Sequence, residues 1–75
     1  MKKSHLSNNI RRLRFNAGEM TQQALATEIG VTRQTIIAVE GDKYSPSLET
    51  AFRIARLFGV SVEEIFSYHP PPDPG

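Results

Sequence analysis

Apolar positions along this chain recur at intervals of three and four, and the runs they form are repeatedly closed by glycine. That spacing puts apolar side chains on one face of a helix. Ile10 and Leu13 mark a first helix from about Asn8 to Ala17, with Arg11 and Arg12 toward solvent and Gly18 as a left-handed stop. Thr21 suits the N-cap of a second helix that buries Leu25 and Ile29, uses Ala26 for close approach and ends at Gly30. Thr32 caps a third, which buries Ile36 and Val39 and ends near Glu40, with Gly41 beyond. After a Pro-containing loop, Ser47 opens the most regular face, Leu48, Ala51, Ile54, Ala55 and Phe58, which stops at Gly59. Ser61 and Glu64 form a capping box for a short fifth helix from Val62 to about Ser67, carrying Ile65 and Phe66. The expectation is an all-α, compact five-helix domain over residues 8–68, preceded by a flexible stretch (1–7) and followed by a disordered proline-rich tail (69–75).

A chain of 75 residues sits near the lower limit for one domain, where folding buries only about 60% of the surface. It has no cysteine, so helix packing must hold it together, with or without a second subunit. No run approaches the roughly 18 apolar residues of a membrane span, and the polar residues after Met1-Lys2-Lys3 form no signal-peptide core; a cytoplasmic location is expected. The net charge of +1 conceals an asymmetry: residues 1–40 hold six Lys/Arg and three Asp/Glu, residues 41–75 three and five. The basic part takes in the third helix. Catalysis lacks candidates, since His5 and His69 lie outside the core elements and there is no phosphate-cradling glycine loop. As metal ligands these two histidines would need two more donors. No metal, cofactor or small-molecule ligand is expected.

Two helices crossing steeply over a short turn need a small residue at their contact and glycine in the turn, which Ala26 and Gly30 supply. Leu25, Ile29, Val31, Ile36 and Val39 press both helices on one core. In this register stand Met20-Thr21-Gln22, Leu25-Ala26, Ile29-Gly30-Val31-Thr32-Arg33-Gln34-Thr35-Ile36, Lys43-Tyr44-Ser45-Pro46-Ser47-Leu48, Ala51, Ile54-Ala55, Phe58-Gly59-Val60 and Glu64-Ile65-Phe66. The sequence thereby resembles the helix-turn-helix of the phage Cro and cI repressor (Xre) family over about residues 8–67.

The resemblance implies a lambda-repressor-like fold, a motif at about residues 22–41, and a transcriptional regulator, in all expectation a repressor, that binds a double-stranded DNA operator. The helix over residues 32–40 would lie in the major groove, directing Arg33, Gln34, Ile37 and Ala38 at base edges. Arg33 can bond guanine O6 and N7, Gln34 adenine N6 and N7, and Ile37 a thymine methyl. Gln22, at a helix N-terminus with free amides, suits a phosphate. The resemblance implies phosphate contacts also for Thr32, Thr35, Lys43 and Tyr44, and a structural ion pair between Arg14 and Glu40.

Two departures stand out. One residue more than usual separates the first two helices at Gly18-Glu19-Met20-Thr21, and Gly41-Asp42 replaces a frequent Asn-Gly, bringing Asp42 near phosphate. One such module buries only about 600–1,000 Å² on DNA, so a homodimer on a near-palindromic site is expected. Apolar residues beyond the needs of one small core, Phe52, Val62, Ile65, Phe66 and Tyr68, are candidates for its interface. The competing reading is a protein-binding adaptor, coactivator or antitoxin on the same fold.

Overall fold

The computed structural model describes residues 5–71. Five helices follow one another as α1 (Ile10–Asn16), α2 (Gln22–Ile29), α3 (Arg33–Glu40), α4 (Leu48–Phe58) and α5 (Val62–Ile65). They are bracketed by two short strands, β1 (Leu6–Asn8) and β2 (Phe66–Tyr68). Side chains start four of the helices. Thr21 accepts from the Ala24 amide at 2.9 Å, Thr32 from Thr35 at 3.2 Å, Ser47 from Thr50 at 3.1 Å and Ser61 from Glu64 at 3.1 Å. Each occupies an amide that the helix itself leaves unpaired, a contribution of about 0.5–2 kcal/mol.

Ile10, Leu25, Ile36 and Ile54, each fully buried, bring α1, α2, α3 and α4 to a common centre, which Ile65 of α5 closes from below. Gly30 ends α2 at φ +76°, in the left-handed region that side chains avoid, and the chain turns there directly into the Thr32 cap of α3. Leu48 departs from expectation. It has the angular position of the buried face of α4 but is 72% exposed, because as the first residue of the helix it lies a turn above the core layer that Ala51 begins.

The ends of the domain also differ from the sequence-based expectation. The fifth helix stops at Ile65, two residues early, and Phe66 takes an extended conformation (φ −111°, ψ 139°). Phe66–Tyr68 then pairs antiparallel with Leu6–Asn8, in the register Leu6↔Tyr68, Ser7↔Ser67, Asn8↔Phe66. Thus Leu6 and Ser7, expected in a flexible lead-in, belong to a ribbon. His69, expected in the tail, extends it: its amide donates to the His5 carbonyl at 2.7 Å and its ring nitrogen lies 2.8 Å from Ser7 Oγ. The ribbon persists because it folds Phe66 against the core while Pro70 holds the residue before it extended. Residues 1–4 and 72–75 of the expected flexible ends lie outside the described residues.

Candidate nucleic-acid interface

Helix α3 buries Ile36 and Val39, and the opposite side of the same helix turns Arg33, Gln34 and Ile37 outward. Ala38, at the edge of that face, is partly buried. Ile37 is 39% exposed, so of two adjacent isoleucines one anchors the helix and the other faces outward. A groove of about 630 Å³ runs beside this face. Arg33, Ile37 and Glu40 of α3 line it together with Gln22 and Gln23 at the start of α2 and Arg11 and Arg14 of α1. Arg11 and Gln23 were not singled out in the sequence. Arg11 read there as a solvated residue, and only the fold brings its helix alongside α3.

The floor of the groove is a polar network. Arg14 meets the Glu40 carboxylate through two parallel bonds, Nε to Oε2 at 2.6 Å and Nη2 to Oε1 at 2.9 Å. Its remaining nitrogen Nη1 donates to the Met20 carbonyl at 2.7 Å. The side chains are 14% and 9% exposed, and this bidentate geometry is the strong form of the interaction. Gln22 adds a fourth bond, Nε2 to Glu40 Oε1 at 3.3 Å. The side chain expected at a phosphate is therefore already oriented by the end of α3. The same arginine ties down the segment between α1 and α2 that holds the extra residue. Gly18 and Glu19 both take positive φ, +81° and +58°, which doubles the chain back so that the Met20 amide reaches the Arg14 carbonyl at 2.9 Å.

Thr32 and Thr35 sit together at the N-terminus of α3, their hydroxyls 3.0 Å apart. Lys43 and Tyr44 project from the loop after α3, and Tyr44 is 49% exposed. Among the described residues neither Arg33 nor Lys43 is in an ion pair. Asp42, expected near phosphate, accepts from the Asn8 side-chain amide at 2.9 Å.

Of the residues considered for an interface between copies, Phe52 and Tyr68 are 53% and 64% exposed. Val62 and Phe66 are half-buried against the core. Ile65, at 2% exposure, is drawn wholly into the core of its own protomer and presents no surface. Leu48, one helical turn before Phe52, takes its place as exposed apolar area. No helix among the described residues is long and apolar enough to cross a membrane.

A family model described as Helix-turn-helix, HTH_3, matches residues 10–65. The chain is 59% identical over 49 residues to an uncharacterised HTH-type transcriptional regulator of Methanocaldococcus jannaschii, covering 65% of this chain and 74% of that one. It is 38% identical over 61 residues to the cryptic phage CTXphi transcriptional repressor RstR of Vibrio cholerae, covering 81% of this chain and 54% of that protein. A crystal structure of a protein from Bacteroides fragilis shares the fold, with a TM-score of 0.70 at 24% identity over 83% of this chain and 98% of that one.

Proposed function

Because the chain belongs to the HTH_3 helix-turn-helix family and is a DNA-binding transcriptional regulator, we propose that it binds a near-palindromic operator as a homodimer and acts there as a repressor. The observation that carries this reading is the groove in which the outward face of α3 stands beside the N-terminus of α2. A helix of this kind enters the major groove with its first turn at the base edges. Arg33 donates to guanine O6 and N7, Gln34 pairs with adenine N6 and N7, and Ile37 with Ala38 lies against a thymine methyl. Gln22, Thr32, Thr35, Lys43 and Tyr44 hold phosphates on either side, fixing the register without reading sequence.

One domain of this size lacks the contact area for strong specificity, and a two-fold pair addressing half-sites about 10 base pairs apart supplies it. Leu48, Phe52 and Tyr68 offer the exposed apolar area for such a pair. The repressor assignment draws on the printed name of the Vibrio relative, and the mechanism is occlusion of a promoter inside the cell. Selection of bound duplexes from a random pool tests the proposal. The expected result is a two-fold symmetric motif whose affinity falls steeply with salt. Recovery of no motif, or of salt-insensitive binding, would sink it in favour of a protein-binding adaptor.

A further inference from the structure

We propose that Asn8, which lies on the ribbon and not on the DNA face, is the residue that positions the loop after α3 for its phosphate contacts. The inference rests on the DNA-binding reading above and adds to it a residue outside the helix-turn-helix motif.

The side-chain amide of Asn8 is fully used. Its Nδ2 donates to the Val39 carbonyl at 2.9 Å and to Asp42 Oδ1 at 2.9 Å, with the Glu40 carbonyl further off at 3.5 Å. Its Oδ1 accepts from the Ile10 amide at 3.0 Å. Reversing the amide would set oxygen against acceptors at one end and nitrogen against a donor at the other, so the network fixes its orientation. One side chain thus caps the start of α1, closes the end of α3 and grips the loop.

The end of α3 turns on the residue that Asn8 holds. The amides of Gly41 and Asp42 return to the carbonyls of Ile37 and Val39 at 3.0 and 3.1 Å, and Gly41, at φ −82°, is not itself the left-handed residue that Gly30 and Gly59 are for α2 and α4. The left-handed step falls one residue later, on Asp42 at φ +57°, a conformation that aspartate adopts where its short side chain finds a hydrogen bond. The bond from Asn8 to the Asp42 carboxylate holds it there. Lys43 follows immediately, its amide on the Ala38 carbonyl at 3.0 Å, and Tyr44 comes next. The other end of the link is anchored too, since Asn8 is paired in the ribbon with Phe66, which packs on the core. A continuous set of contacts therefore runs from the core through Asn8 and Asp42 to the loop cation.

The test uses the full chain and its selected operator, at a temperature where circular dichroism shows every variant folded. In free N8A, backbone hydrogen exchange at Asp42 and Lys43 should quicken about tenfold while Leu25 and Ile54 keep their protection. Operator binding by N8A should weaken about tenfold. Most of that loss should vanish when K43A is already present, whereas the effect of R33A should multiply with it. Exchange unchanged in the loop, affinity equal to wild type, or losses from N8A and K43A that simply multiply would each overturn the role of Asn8. If N8A does not fold, D42N and D42G provide the comparison. Both remove the loop carboxylate and both accept the left-handed backbone, but only asparagine keeps an oxygen for Asn8, so D42N should bind more tightly than D42G, and equal binding overturns the proposal. A wild-type chain that shows no salt-dependent duplex binding would refute the proposed function itself, an outcome distinct from wild-type binding that N8A leaves untouched.

Discussion

Arg14 and Arg33 carry the same guanidinium to opposite ends. Arg14 is closed over by Glu40 and the Met20 carbonyl, and removing either member of an enclosed pair leaves an uncompensated charge. Glu40→Ala is expected to cost about 3–5 kcal/mol in urea unfolding, and it frees Gln22 from its 3.3 Å contact. Arg33, exposed and outside any ion pair among the described residues, should behave in the converse way. Arg33→Ala is expected to move stability by no more than about 0.5 kcal/mol while relaxing the preference at one base position by about 1–3 kcal/mol. Unfolding curves and a selected-duplex motif for the two variants check both halves, and an unchanged motif for Arg33→Ala would remove its base-reading role. The register of the sequence distinguished these two arginines. It did not distinguish Asn8 from a simple helix start, because what sets Asn8 apart is a carbonyl at Val39 and a carboxylate at Asp42, more than thirty positions away.

Helix boundaries follow from hydrogen bonds that span only three residues, which is why Thr21, Thr32, Ser47 and Ser61 were legible as caps. Gly30 is legible for the same reason, since the turn it makes is local. Gly30→Ala puts a side chain at φ +76°, with its Cβ 3.3 Å from Arg53 Nη1. The expected penalty is about 1–2 kcal/mol, seen as a lower denaturation midpoint with an unchanged slope. Strands β1 and β2 were not legible. Each has three residues, too few for alternation to declare itself, and Phe66 continues a well-capped helix. Whether Phe66 makes one more helical turn or an extended pair is decided by Leu6–Asn8 at the other end of the chain. Leu48 was misplaced for a related reason: helical periodicity gives the angle of a side chain about the axis but not whether the core extends to its height.

For the molecule as a whole, the arginine-lined groove and the exposed apolar side chains of α4 lie on different helices. The arginines of α1 and α3 share the groove with the N-terminus of α2, so affinity for operator DNA should fall with salt in proportion to the phosphates engaged, and Lys43→Ala should reduce that slope by about one. Leu48 and Phe52 lie on another helix. Phe52→Lys is expected to shift sedimentation from dimer toward monomer and to remove the concentration dependence of thermal unfolding. It should leave the protomer folded, since Phe52 is 53% exposed; a wild-type chain that sediments as a monomer at high micromolar concentration, with and without operator, would discard the dimer. The ribbon has a consequence for the order in which the protein assembles. Its partners are separated by about 60 positions, and loop closure of that length comes after local helix pairing in folding. Ser67→Pro, which removes a ladder donor, is thus expected to speed unfolding in stopped-flow experiments while the refolding limb stays unchanged. On this order α3 forms before the loop after it is pinned, and full affinity for an operator is expected only once the two ends of the domain have met.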